Sequence, residues 1–294
     1  MREELVIDRP SQDKTLAAVA ASTTVKSILF PVHLGEGLEQ RLQVALSIAR
    51  SLEAHLHLLH VTPLQAYNVI DAYGAFVSGE IVEALRKEAE EMRARLEVQL
   101  AKEDVSWDYE EVTGELMPHL LYCAALSDLV VVGRERPAPE FSGPAISFLG
   151  DLLHRLRTPL LIIGDNSGPF DAFGKAVVAW NGSYEAANAL RASLGLLKCA
   201  SEVRVLTVEE EKPGTFPSTR AVEYLSRHGI HAELTVRPHT SVTFAEHLIT
   251  YAMANDAAYV VMGGYGHSRA GEYFFGGTTR DLLADCPFPL VMAR

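Results

Sequence analysis

Two stretches 130 residues apart carry the same pattern. "DLLHRLRTPLLII", starting at Asp151, matches "DLLADCPFPLVMA", starting at Asp281, with DLL and a later Pro at the same offsets. Upstream, "LVVVG" ending at Gly133 matches "YVVMG" ending at Gly263. A repeat of this length means two copies of one unit, and each unit must bury a face of its own. Short apolar runs alternating with helical periodicity fill both copies. In the first, Ser27 to Val32, His55 to Val61, Trp107 to Val112, Leu129 to Val132 and Leu160 to Ile163 read as strands. Between them, helical spacing is carried by Leu38, Leu42, Ala45, Leu46 and Ala49, by Ile81, Leu85, Ala89, Met92 and Leu96, and by the segments 115–126 and 146–156.

The second copy repeats this order. Strands are expected at 176–180, 203–208, 231–236, 259–262 and 289–292, with helices along Ala186, Leu190, Leu194 and Leu197 and at 220–227, 244–253 and 278–284. Strands that alternate with helices imply right-handed crossovers and a parallel sheet covered on both sides. The expected fold class is therefore α/β, two tandem doubly wound domains. The divisions are an extension at 1–25, a first domain at 26–164, a Gly-, Pro- and Asn-containing linker at 165–174 ("DNSGPFDAFG") and a second domain at 175–294.

The chain has 294 residues with 48% hydrophobic content, enough for two cores, and a formal net charge of −12. That charge argues against a nonspecific grip on nucleic acid or anionic membranes, which needs clustered Lys and Arg. No run approaches the roughly 18 apolar residues of a membrane span, and the start does not resemble a signal peptide. A cytoplasmic location is expected. Cys123, Cys199 and Cys286 are odd in number and widely spaced, so they read as buried thiols of a reducing compartment, and no disulfide or metal site is expected of them.

One copy alone carries a cluster of glycines, "MGGYGHSRAGEYFFGGTT" from Met262 to Thr279. Where the second copy has Gly266, Gly276 and Gly277, the first has Arg136, Ile146 and Ser147. Ligands of parallel α/β sheets bind beyond the carboxyl ends of the strands, where the strand order reverses. A helix opening at Gly276 and Gly277 would present free N–H groups and its positive dipole end there, with Thr278 and Thr279 as hydroxyl donors and His267 or Arg269 as charges. Phosphate is the guest such a site suits, and the sister copy shows that the fold can do without the cluster.

The pattern G-x-x-G, nine residues, then G, here Gly263, Gly266 and Gly276 after an apolar strand, resembles the nucleotide-binding signature of the universal stress protein family. The turn "WNGS" at Trp180 to Ser183 and the tandem order are similar to that family as well, over about residues 26–294. The resemblance implies a five-stranded parallel sheet in each domain, with ATP, with or without Mg²⁺, in the cleft of members that bind it. Carried over by position, Ala179, Asn181 and Val208 would lie near adenine and ribose. Met262, Gly263 and Gly266 would wrap ribose and phosphates, and Gly276, Gly277 and Thr278 would cradle the phosphates. Two positions depart from the pattern. The family's first-strand Asp is Asn181, which loses the charge-assisted hydrogen bond, and the Ser or Thr after the last glycine is Gly277, with Thr278 one place later.

In the first copy the corresponding position is His33, and Pro137, Pro139 and Pro144 stiffen the loop and remove donors. The function expected is a stress-response regulatory protein that binds an adenine nucleotide in its second domain. The alternatives are a slow ATPase or autophosphorylating enzyme, or an empty interaction scaffold. No catalytic residue stands out; Ser183 reads as a helix cap. Partners expected beyond the nucleotide are protein partners and a homodimer, and the last strands, 160–163 and 289–292, are expected to pair the two halves within the chain. His55, His57 and His60 could suggest metal, since His55 and His57 face one side of a strand, but with no Cys or carboxylate in register they read as packing or edge histidines, as do His228, His231 and His239. The loop 67–79 reads as a lid or a surface connection.

Overall fold

The computed structural model describes residues 25–32, 37–63, 79–134, 145–164, 166–208, 215–264 and 277–294. The first half runs β1 (Ser27–Val32), α1 (Leu38–Leu52), β2 (His55–Pro63), α2 (Gly79–Leu100), β3 (Trp107–Gly114), α3 (Leu116–Ala124), β4 (Leu129–Gly133), α4 (Ala145–Arg155) and β5 (Leu160–Ile163). The second runs β6 (Lys175–Ala179), α5 (Tyr184–Ala192), α6 (Leu194–Leu197), β7 (Glu202–Val208), α7 (Ser218–Arg227), β8 (Ala232–Arg237), α8 (Phe244–Ala254), β9 (Ala257–Gly263), α9 (Gly277–Ala284) and β10 (Leu290–Ala293). Among the described residues these strands make one ten-stranded sheet, ordered β3-β2-β1-β4-β5-β10-β9-β6-β7-β8.

Within each half every pairing is parallel, in the same order: third, second, first, fourth, fifth. The halves join where β5 and β10 run antiparallel, with Leu161 opposite Val291. This places the last two strands side by side within one chain, so that neither leaves an open edge. Two layers of buried side chains cover the sheet, and each layer runs through both halves. One contains Phe30, Leu42, Leu46, Trp180, Leu190 and Tyr259; the other contains Leu59, Leu120, Leu152, Leu248, Leu282 and Met292.

Local chemistry accounts for the elements. The predicted stripe of α1 is buried at Leu38, Leu42, Ala45, Leu46 and Ala49, and the helix stops where Glu53 turns to φ 51°. In α2, Ala89, Met92 and Leu96 are buried, and Arg86–Glu90, Lys87–Glu91 and Arg93–Glu97 pair along the exposed side. The single helix read along Ala186 to Leu197 is two: α5 ends at Ala192, Ser193 caps it, and α6 follows at once. Gly195 weakens helix continuation there, and the Tyr259 hydroxyl donates to the Leu196 carbonyl at 3.2 Å.

The connection between the halves is packed. Phe170 and Ala172 are buried, and the Phe170 ring lies 5.1 Å from that of Tyr259. Gly168 N–H donates to Pro287 O at 3.1 Å. Arg134, at the end of β4, reaches across to donate to the Phe288 carbonyl at 3.3 Å, and its guanidinium lies over Gly164, where a Cβ would come within 2.7 Å.

Candidate functional site

Strand order reverses between β1 and β4 in one half and between β6 and β9 in the other. At the second reversal a cleft of about 690 Å³ opens beyond the strand ends, within the size range of small-molecule sites. Its floor is made by Ala179 at the end of β6, Val208 at the end of β7, and Met262 and Gly263 at the end of β9. Asn181 and Ser183 form one wall, and Gly277 and Thr278, opening α9, form another. Gly266 and Gly276 lie outside the described residues, as do His267, Arg269, His33 and the loop 67–78.

The turn after β6 is tightly determined. Gly182 has φ +73°, and a Cβ there would meet the Phe216 carbonyl at 2.4 Å. Its own carbonyl accepts from Phe216 N–H at 2.8 Å. Asn181 Oδ1 accepts from Ser183 N–H at 3.1 Å, and Ser183 Oγ accepts from Ala186 N–H at 3.1 Å, capping α5. With its oxygen engaged, Asn181 has its amide N–H₂ to offer a ligand.

The glycines of this region divide into two kinds. At Gly263 a Cβ would lie 2.5 Å from Ala186 N and 2.6 Å from the Glu185 carbonyl carbon, so the start of α5 packs directly on this backbone. Packing therefore requires Gly263 whether or not a ligand binds, and the first copy keeps a glycine at the matching position, Gly133. At Gly277 a Cβ would meet none of the described residues within 4 Å. Gly277 opens α9, whose first N–H groups have no acceptor inside the helix; Thr278 is half-buried and Thr279 buried beside it.

Sequence reasoning missed the wall formed by the segment before α8. His239, Thr240, Ser241, Val242 and Thr243 border the cleft, joined by His247 from the first turns of α8. Thr240 Oγ1 lies 2.9 Å from His247 Nε2 and accepts from Val242 N–H at 3.2 Å. Thr243 Oγ1 accepts from Glu246 N–H, while Glu246 Oε2 accepts from Thr243 N–H at 2.9 Å, a reciprocal cap. The bonds from the Thr243 backbone and hydroxyl hold the Glu246 carboxyl below its usual range. T-x-x-E at Thr243 was the available signal; what it could not tell is that the capped end faces the cleft. The N-termini of α5 and α8 are thus closed by their own side chains, Ser183 and Thr243.

A second cluster overturns an expectation about the histidines. No Cys or carboxylate is expected in register with His57, yet its Nε2 lies 3.0 Å from Glu110 Oε2, and the Cys123 Sγ lies 3.8 Å from the same oxygen. Parallel pairing sets His57 opposite Asp108 on β3, one step along the same face from Glu110, and α3 lays Cys123 over that face. His55 pairs with Asp108 in the same row, at 3.0 Å. Burial, then the Glu110 carboxylate, push the Cys123 thiol up to about 11. Cys199 and Cys286 are buried, and the Cys199 thiol donates to the Gly195 carbonyl at 3.3 Å.

No family model matches the chain, and no curated protein matches its sequence. Solved structures do match in shape. A universal stress protein from Archaeoglobus fulgidus is 16% identical, with a TM-score of 0.70, covering 92% of this chain and 99% of the other. A functionally unknown protein from Pseudomonas aeruginosa PAO1 is 15% identical, with a TM-score of 0.50 and 94% of each chain covered. No helix among the described residues is long and apolar enough to cross a membrane. Strand order, the reversal-point cleft and full-length superposition agree: the chain has the universal stress protein fold, with two such units joined in one polypeptide.

Proposed function

We propose that the second half binds an adenine nucleotide, ATP or a close relative, with or without Mg²⁺, and that the chain acts as a stress-response regulatory protein. The observation that carries this reading is the convergence on one cleft of Ala179, Asn181, Val208, Met262, Gly263, Gly277 and Thr278. In this reading the apolar floor of Ala179, Val208 and Met262 takes the adenine and ribose. The phosphates take the N–H groups at the start of α9, the helix end whose opening residues are small and hydroxylated. Asn181, offering N–H₂, suits a ribose or phosphate oxygen better than it suits a metal ion.

Gly277→Glu tests the proposal, since a Cβ there meets none of the described residues within 4 Å and a carboxylate at a helix N-terminus does not harm the helix. It should leave the unfolding midpoint unchanged and weaken ATP at least about tenfold, by placing negative charge where phosphate binds. AMP should lose less than ATP. Undetectable ATP binding to the parent chain, or equal affinity in the variant, would overturn the reading.

A further inference from the structure

The first half carries a site of different chemistry. We propose that His57 on β2, Glu110 on β3 and Cys123 on α3 bind a divalent ion of the zinc class, with a fourth position left to water. The donor atoms of the three residues all lie within 4.8 Å of one another. Zinc bonds of about 2.0 Å to nitrogen and oxygen and about 2.3 Å to sulfur imply tetrahedral edges of about 3.3–3.6 Å. The two measured edges, 3.0 Å for His57–Glu110 and 3.8 Å for Cys123–Glu110, bracket that range. Imidazole nitrogen, thiolate and carboxylate together favour zinc over magnesium or calcium, which take oxygen donors.

Hydrogen bonding accounts for only part of the arrangement, since the Cys123 thiol donates to Glu110 Oε2 at 3.8 Å but His57 is left over. The His57 Nε2 is shielded from solvent and makes no well-formed hydrogen bond among the described residues, although the carboxylate is near. An unprotonated imidazole nitrogen and a carboxylate are both acceptors, so a cation between them satisfies what a direct contact cannot. The frame is rigid, with two paired strands and a helix packed across them, and the Glu110 side chain is 41% exposed, which leaves solvent a way in.

The second half shows what the same place looks like without metal ligands. His57 stands opposite Asp108 as Arg204 stands opposite Glu233, so Arg204 and Thr235 occupy the places of His57 and Glu110. The helix residue over them is Tyr251, whose hydroxyl lies 2.8 Å from Thr235 Oγ1. Arg204 pairs with Glu202 and, at 3.1 Å, with Glu233. There the position is filled by an arginine, a tyrosine and a threonine joined to one another and to neighbouring carboxylates. In the first half three metal-binding side chains take it.

Cobalt(II) titration of the full chain provides the test, because thiolate coordination gives a sulfur-to-metal charge-transfer band. One equivalent should produce the band, and zinc should displace it. Cys123→Ala should abolish the band, and His57→Gln should weaken binding at least about tenfold. A missing band, or one that persists in Cys123→Ala and so belongs to Cys199 or Cys286, would overturn the site. If either variant fails to fold, alkylation of the unaltered chain decides: zinc should protect Cys123, the half-exposed cysteine, and equal labelling with and without zinc would refute the proposal.

Discussion

At the reversal point of the second half, the β6–β9 ladder runs to its end, Ala179 opposite Met262. In the first half the β1–β4 ladder stops at Leu29 opposite Val130, two residues before Pro31, which has no N–H to donate. Beyond it comes His33 where the second half has Asn181. The sister strands therefore share an order but differ in where their ladders stop, at the end of the sheet where parallel folds take ligands. The second half closes its ladder and builds a cleft from a capped turn, a glycine end and a helix start. Lower on the sheet the contrast reverses, and it is the first half that gathers His57, Glu110 and Cys123. Duplication kept the strand pairing and let each half place its polar chemistry at a different height on the same frame.

The junction is what allows the halves to differ, since each is completed by the other along β5 and β10. Val291 is fully buried opposite Leu161. Val291→Asp would bury an unpaired carboxylate there and should cost more than about 4 kcal/mol. Denaturant unfolding should show a chain too unstable to stay folded at moderate urea, or two separate transitions as the halves come apart. A single transition with an unchanged midpoint would show that the halves do not depend on their shared seam.

A smaller effect separates the glycines that serve packing from those free to serve a ligand. Gly263→Ala drives a methyl group into the α5 backbone and should cost about 1–3 kcal/mol. Gly277→Ala meets none of the described residues within 4 Å and should be neutral or stabilising by up to about 1 kcal/mol. Thermal melts of the two variants measure the difference directly. Equal losses would remove the distinction on which the reading of α9 rests.

Much of this was legible in the sequence for a physical reason: strand order and helix faces follow from periodicity, which the repeat states twice. The stripe of α1 and the strand runs LVVVG and YVVMG needed no structure. Ala179 and Met262 came from the family resemblance alone, and they stand at strand ends lining the cleft, where parallel sheets take their ligands. What escaped depends on distance across the chain. Glu110 meets His57 through strand register, and Cys123 meets both through helix packing, neither of which has a local signature. The clash that demands Gly263 comes from α5, more than seventy residues earlier. The Thr243 cap could be read as a cap, but its position against the cleft is set by the lie of α8 over the sheet.

The smallest effect concerns a buried histidine that one half has and the other lacks. His60 on β2 is 6% exposed, and its Nδ1 lies 2.7 Å from the Tyr109 hydroxyl; register puts Thr207 at the equivalent place on β7. Burial lowers the His60 pKa, and the Glu111 carboxylate opposes that only in part. Arg93 sits over the Tyr109 ring at 5.3 Å and within 3.9 Å of Glu111, so the surrounding charges partly offset one another. In the unfolded chain the imidazole titrates near 6.5; in the folded chain it does so lower. Between those values the unfolded state binds more protons, so stability falls with acidification. The contribution is complete above 6.5 and is lost as pH drops through the folded value. His60→Gln, which cannot titrate, should be less stable at pH 7 yet lose less on going to about pH 5.5. Unfolding midpoints measured at both pH values give the slopes, and parallel slopes in parent and variant would show that His60 does not carry this acid sensitivity.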